Sequence, residues 1–478
     1  MKRIVIIGGG ISGLAAAHRI VETCADEHSS IEVLVLEAGN CAGGVIRTNM
    51  RDGFLLEAGP DAFISEKPEA LALAHRLGLE DHLIETNSEY RRSFVARGNR
   101  LLPVPEGFQL LAPSRFLPFL TSPIFSWLGK ARIALDLILP RRARGNGDDD
   151  ESLASFVRRR LGHEALERMA QPMVGGIYTA DPELLSLRST MPRFLEMERK
   201  HRSVLRAMWH TRRNQTKVEA SGTSGARYSL FLSLDAGMQT LVDSLVTRLP
   251  DGSLRLKTRV DELGIDSQTK RWTIRTSSNE LMEADAVCIA LPAYAAAELL
   301  RNVDAKLVDE LNSIPYASTA TVNLAYRRED IPHALDGFGF VVPFVEGRST
   351  LACSFSSVKF SGRAPEGFVL LRAFVGGALQ PEKFELDDES IISAVRRDLF
   401  DLLGADGAPL FTAVEKWPRS MAQYHLGHRE KVDRIKARVK ALQTLQLAGN
   451  AFDGAGIPDC IRSGEAAAEE LVAGLLTL

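Results

Sequence analysis

The first thirteen residues constrain this chain more than any other stretch. Ile4-Val5-Ile6-Ile7 is a short apolar run, the pattern of a strand covered on both faces. Gly8-x-Gly10-x-x-Gly13 follows at once, and "LAAAHRIV" then reads as a helix. Glycines at this spacing let a strand turn sharply and let backbone approach a pyrophosphate, while the helix N-terminus offers unpaired N–H groups to the negative charge. Gly8, Gly9, Gly10, Ile11, Ser12 and Gly13 are therefore the candidate phosphate-side residues. A second strand, "IEVLVLEAG", ends at Glu37 and Ala38, in the window where an acid holds ribose hydroxyls and disfavours a 2′-phosphate. The expected class is α/β (α+β overall), with a Rossmann-like dinucleotide domain.

Composition removes several other classes. At 478 residues the chain has ample length for two to four domain-sized units. A net charge of -3 gives no electrostatic case for nucleic acid. The cysteines (Cys24, Cys41, Cys288, Cys353, Cys460) lie far apart with no CxxC pair, which argues against structural zinc or a disulfide framework. The N-terminal apolar run stops at Gly8, too short for a signal peptide's apolar region, and no run approaches a spanning helix. One uncharged stretch, "FLPFLTSPIFSWLG" (116–129), leaves two readings: a segment buried in its own core, or one lying in a bilayer surface. Pro118 and Pro123 are expected to deny it a regular helix.

The next stretch separates FAD from NAD. A second glycine pair (Gly43, Gly44) precedes Val45 and Arg47, and Glu57-Ala58-Gly59-Pro60-Asp61-Ala62 follows a strand-like "GFLL". This pattern resembles flavoproteins of the amine oxidase and phytoene desaturase superfamily. The resemblance implies FAD, with Arg47 near the pyrophosphate and the Gly59-Pro60 turn beside the flavin. Near the other end, Leu445–Leu447, the glycine-rich turn Gly449 to Gly456 and a helix from about Ile457 and Pro458 repeat the strand–turn–helix form. In that superfamily this second helix N-terminus faces the flavin ring, where its dipole favours negative charge. Val260 matches the position whose backbone holds adenine.

Both ends thus build one FAD-binding domain of the amine oxidase and glutathione reductase type, expected from 1–87, 226–292 and 417–478. A mixed-sheet substrate domain is expected from 88–108 and 293–416, and a helical, membrane-facing domain from 109–225. Ser152 reads as the cap of a helix through "LASFVRRRLG". The loop 140–152 is rich in Gly and charge.

"PMVGGIYTADPELLSLRSTMP" (172–192), with "RRSFVARGNRLLPVPEG", "GMQTLVDSLV", "FSGRAPEGFVLLRAFVGG" and "KWPRSMAQYHLGH" in order, resembles the FAD-containing porphyrinogen oxidases, protoporphyrinogen oxidase and its coproporphyrinogen-oxidising relatives, over nearly the whole chain. The resemblance implies that Met173 and Gly176 line the substrate pocket, that Arg92 pairs with a propionate, that Phe360 packs on a pyrrole, and that Trp417 stands beside the flavin. Where the family reads Pro before "QY", this chain has Ala422, and a local change of turn is expected. The implied reaction is a six-electron oxidation of protoporphyrinogen IX in haem biosynthesis. Coproporphyrinogen III is the alternative, and an amine oxidase or carotenoid desaturase the more distant one. Hydride transfer to a flavin needs orientation more than a strong base, and no residue is named as a proton-transferring catalyst. No metal site is expected: His425 and His428 lack matching ligands. Oxygen or another acceptor, a membrane surface on the cytoplasmic side and a homodimer complete the expected partners, with no nucleic acid.

Overall fold

The computed structural model describes residues 1–26, 30–142, 150–215 and 231–477. Five parallel strands form the first sheet, in the order Leu254–Arg255, Ile31–Leu36, Lys2–Ile7, Ala286–Ile289, Leu445–Leu447. Side chains of successive residues point to opposite faces of a strand, and the core divides accordingly. Ile4, Ile6, Val33, Val35, Ala286 and Cys288 join one cluster with the helices Ile11–Asp26 and Ile457–Thr477. Val5, Ile7, Leu34, Leu36, Val287 and Ile289 join another with Leu263, Trp272, Ile274 and Met282 of the antiparallel meander spanning 260–284. A layer covers each face, which is why these strands read as unbroken apolar runs.

A seven-stranded mixed sheet lies over this unit, in the order Phe411–Ala422, Tyr316–Arg327, Phe368–Gly376, Thr350–Phe355, Gly339–Val341, Phe94–Arg97, Arg100–Pro103. On its two central long strands, Ala320, Val322, Leu324, Tyr326, Val369, Leu371, Ala373 and Val375 pack with Ile391, Val395 and Leu399 of the helix Asp388–Leu403. Asp387 caps that helix by accepting from Ser390 N–H, and Gly404 ends it in the left-handed region. The opposite face carries Thr321, Asn323 and Arg372, all buried. Ala422 ends the long strand, opposite Tyr316, so the Pro-to-Ala departure sits in a strand and not in a turn.

Helices dominate the described residues between 116 and 215. Ser152 caps Leu153–Arg160 by accepting from Ser155 N–H. The uncharged stretch is more regular than its prolines suggested. Pro118 falls in the first turn of a helix Phe116–Thr121, where no intrahelical N–H is needed, and the bend at Pro123 separates it from Trp127–Ala134. The stretch is divided between core and surface: Phe119, Ile124 and Phe125 are buried, whereas Phe116, Leu117, Trp127 and Leu128 are exposed. Behind it Arg160 and Asp136, both 0% exposed, form an ion pair. Asp136 Oδ2 also accepts from Ser203 Oγ at 2.6 Å and Leu205 N at 3.0 Å. Seven residues of the loop 140–152 (143–149) lie outside the described residues. No helix among the described residues is long and apolar enough to cross a membrane.

Candidate flavin and substrate site

The glycine loop is closed by backbone contacts that a side chain would break. Gly8 has φ +110°, and a Cβ on Gly13 would run into the Gly8 carbonyl. Gly10 differs: a Cβ there meets nothing within 4 Å, so the loop leaves open space above the N-terminus of helix Ile11–Asp26. The second glycine pair packs on the first, with Gly43 N–H donating to Gly9 O at 2.8 Å and Gly44 facing Gly10. Glu37 accepts from Gly9 N–H at 2.7 Å and Gly39 N–H at 2.6 Å. Each oxygen keeps lone-pair capacity for a hydroxyl. Thr258 N–H donates to Glu37 O, which brings Val260, the first residue of its strand, to this end of the site.

Val45 and Gly59 continue the path away from Gly10. A Cβ on Gly59 would strike the Val45 carbonyl, so only glycine lets these two segments close. Polar groups of the seven-stranded sheet then take three consecutive carbonyls of the turn. Asn323 Nδ2 donates to Glu57 O at 3.2 Å, Thr321 Oγ1 and Trp417 Nε1 donate to Ala58 O at 2.7 and 2.9 Å, and Arg372 Nη1 donates to Gly59 O at 2.8 Å. Arg47 lies with its guanidinium 5.8 Å from the Trp417 ring. Pro60 and Ala62 are half-buried on the same turn. The Asp61 carboxylate is turned into the seam, with Lys359 Nζ at 2.9 Å and Arg372 Nη2 at 3.4 Å. Burial works to raise this carboxyl's pKa, but the Arg372 and Lys359 charges outweigh it and hold it below the usual range.

The far turn adds a second helix N-terminus. Gly449 N–H donates to Ser463 Oγ, and Asn450 is fixed from both sides, its Nδ2 donating to Ser420 O and its backbone carbonyl accepting from Tyr424 OH. Gly456 and Ile457 open the helix that packs on Ile11–Asp26, where Gly464 lies against the Ser12 carbonyl. Cys460 is buried there and its thiol is pushed up to about 12, which leaves no thiolate for attachment to a flavin.

The 172–192 stretch begins in a helix, Gln171–Tyr178, reached through a π-helical turn Leu166–Ala170 and ended by Thr179 in the left-handed region. Met173 is half-buried; Gly176 and Ile177 are exposed, with Val341 Cγ1 at 3.7 Å from a Cβ built on Gly176. The stretch pairs directly with "MAQYHLGH": Ser186 N–H donates to Tyr424 O, and Leu426 N–H to Leu184 O. His428 stacks on Tyr424 at 4.2 Å and is buried, which lowers its pKa to about 4. Neither it nor His425 belongs to a metal-holding group among the described residues.

Two substrate candidates sit differently from expectation. Arg92 is ion-paired with Asp336, so a propionate would have to displace that carboxylate. Phe360 is 1% exposed, its ring beside Lys359 and Arg363 at 5.0 and 5.5 Å, and has no open face for a pyrrole. The structure brings Gly8 to Gly13, Glu37, Gly44, Val45, Arg47, Gly59 and Trp417 into one chain of contacts; Phe360 belongs to the seam behind it. Sequence reasoning passed over Thr321, Asn323, Lys359 and Arg372. For Thr321, Asn323 and Arg372 the signal was polarity inside apolar runs, "TATVNLAY" and "FVLLRAFVGG"; Lys359, in "SSVKFSG", had none.

These residues fit a dinucleotide. Open space at Gly10, two helix N-termini and spare acceptor capacity on Glu37 suit a pyrophosphate and a ribose, and the buried Arg372 Nε and Asn323 Oδ1 lack protein partners. The chain matches the flavin containing amine oxidoreductase family over residues 11–472. It belongs to that family and is an FAD-dependent oxidoreductase. Among relatives, it is 35% identical to the coproporphyrinogen III oxidase of Bacillus subtilis (strain 168), over 100% of this chain and 99% of that one. With the coproporphyrinogen III oxidase of Propionibacterium freudenreichii subsp. freudenreichii it shares 36%, over 98% and 90%. With the mitochondrial protoporphyrinogen oxidase of Nicotiana tabacum it shares 28%, over 99% and 95%. A solved structure from Exiguobacterium sp. 255-15, provisionally named protoporphyrinogen oxidase, superposes with TM-score 0.86 at 28% identity, covering 99% of each chain.

Proposed function

We propose that this chain oxidises coproporphyrinogen III to coproporphyrin III in haem biosynthesis, with oxygen as acceptor. The observation that carries the choice is identity: 35% and 36% over nearly full length to coproporphyrinogen III oxidases, against 28% to a protoporphyrinogen oxidase. This reverses the sequence-based preference for protoporphyrinogen, which rested on the apolar stretch 116–129 and on the extra basic residues that a four-propionate substrate would call for.

Bound FAD supplies a two-electron acceptor, so a six-electron oxidation takes three rounds. Each round would take two electrons and two protons from the porphyrinogen and, with oxygen as the acceptor, release one hydrogen peroxide. The protein's part is binding and orientation. The glycine loop and the N-terminus of helix Ile11–Asp26 would hold the pyrophosphate, and Glu37 a ribose. The exposed side of helix Gln171–Tyr178, without a side chain at Gly176, offers a flat approach for a tetrapyrrole. Arg92, once released from Asp336, could take a carboxylate in its planar fork.

The exposed apolar side chains Leu117, Trp127 (75% exposed), Leu128 (84% exposed) and Ile138 support peripheral docking on a membrane surface. Flotation with anionic vesicles, comparing the wild type with Trp127→Glu/Leu128→Glu, tests that part. For the reaction, coproporphyrinogen III and protoporphyrinogen IX are supplied in parallel under air, and porphyrin fluorescence is followed against enzyme-free controls. Faster turnover of coproporphyrinogen is expected. Equal or greater rates on protoporphyrinogen restore the other substrate, and no acceleration of either removes the porphyrinogen assignment.

A further inference from the structure

We propose that Asp61, Lys359 and Arg372 form a positioning cluster that fixes the Gly59–Ala62 turn against the flavin and sets the flavin's reduction potential. The inference rests on the FAD assignment and not on which porphyrinogen is oxidised.

Arg372 is a lone charge in an apolar strand, directly opposite Asn323 on one neighbour and Ser354 on the other. Its guanidinium bridges two residues of one turn, with Nη1 on Gly59 O at 2.8 Å and Nη2 beside Asp61 Oδ1 at 3.4 Å. Lys359 holds the other oxygen of Asp61 at 2.9 Å. A planar fork reaching a carbonyl and a carboxylate two residues apart fixes the turn's orientation, which a flexible ammonium would not do. The turn continues the open path from Gly10 through Gly44 and Val45, where an extended dinucleotide would run.

The cluster is also unbalanced in charge. Lys359, Arg363 and Arg372 gather around the carboxylates of Asp61 and Glu57, and the exposed Asp235 is engaged by His82. Glu57 is committed to Met238 N–H and Thr48 Oγ1. Arg363, 2% exposed, donates to the carbonyls of Asp235 and Leu234 and to Ser233 Oγ, so no carboxylate neutralises it directly. Arg372 Nε–H is buried with no protein acceptor. A buried positive excess behind the flavin-side turn favours the more negative, reduced cofactor, because field lines in a poorly solvated seam are weakly screened.

The test is the two-electron potential of purified holoenzyme, read by equilibration with a reference dye during slow anaerobic reduction. Asp61→Asn deletes one negative charge and is expected to shift the reduced-to-oxidised ratio at fixed poise about tenfold toward reduced flavin, about 30 mV for two electrons. Arg372→Gln and Lys359→Met are expected to shift it by a similar factor the opposite way. Arg372→Lys keeps the charge and loses the fork, so its potential stays near that of the wild type while FAD dissociates faster. A purely structural role loosens the site in every variant and moves the potential in one direction or not at all; either result overturns the proposal. If Arg372→Gln fails to retain FAD, the pair Asp61→Asn and Lys359→Met carries the same opposite-sign test. A wild-type protein that takes up no FAD would instead refute the cofactor assignment.

Discussion

Gly464→Ala sets two effects of opposite sign against each other on the C-terminal helix. Alanine is the better helix former by about 1 kcal/mol. The new methyl, however, would stand 3.0 Å from the Ser12 carbonyl carbon, 3.2 Å from Ala16 N, and closer still to Ser12 O. Because that obstacle is backbone in the first turn of the phosphate-side helix, no rotamer change relieves it. The two helices must part by about 1 Å to restore ordinary contact distances. Overpacking of this kind costs about 1–3 kcal/mol, and a backbone obstacle puts the cost in the upper half, so the net effect is a loss of about 1–2 kcal/mol. Both helix N-termini belong to the cofactor site, so the loss is expected in FAD binding, about tenfold in Kd. Gly474→Ala is the control within the same helix, since its methyl meets only Gln443 O at 3.9 Å. It is expected to leave binding unchanged and to match or exceed wild-type stability. The assay is titration of apoprotein with FAD, followed by quenching of flavin fluorescence, alongside urea unfolding of both variants. If Gly464→Ala binds FAD as tightly as Gly474→Ala, the close packing of these helices does not position the site.

Three further outcomes follow from the same geometry. His428 is neutral in the folded chain, with a pKa of about 4, whereas in the unfolded chain it protonates near 6.5. Its contribution is therefore complete above pH 6.5 and is lost as pH falls toward 4, about 3 kcal/mol in all; His428→Phe should flatten that part of a stability–pH curve, and an unchanged slope would exclude His428 as the cause. Asp136→Ala leaves the buried Arg160 with only the more distant Glu198 carboxylate, at 3.6 Å, and should destabilise by about 3 kcal/mol, visible as a lower urea midpoint and faster proteolysis of the helical region. Gly176→Leu should reduce kcat/KM by at least about tenfold through obstruction alone, with the flavin absorbance spectrum unchanged; full activity would move the substrate away from helix Gln171–Tyr178.

The cofactor site was largely legible because its chemistry is local. Gly8, Gly10 and Gly13 declare themselves by spacing, and Glu37 by its place at the end of the next strand. The contacts between Gly43 and Gly9, or Gly464 and Ser12, link segments that carry glycines for steric reasons, so both ends of each contact leave a trace in the chain. The substrate side was less legible. Arg92 was readable as an arginine fit for a carboxylate, but nothing local to it announces Asp336, 244 residues on. Phe360 looked like an aromatic free to stack, and only the tertiary packing puts it beside Lys359 and Arg363. Pro118 was read as a helix breaker because its position relative to the helix start depends on where the preceding chain turns.

The parallel sheet behind the glycine loop is completed by Leu445–Leu447, and the second cofactor-facing helix begins only at Ile457. A ribosome adding about 5–20 residues per second needs roughly 8–30 s to travel from Ile289 to Leu445. During that interval Cys288 and its apolar strand have no partner on one edge, and the surface of Ile11–Asp26 that will receive Gly464 is bare. A cradle with both helix N-termini in place therefore forms only once the helix Ile457–Thr477 has been made and packed on Ile11–Asp26.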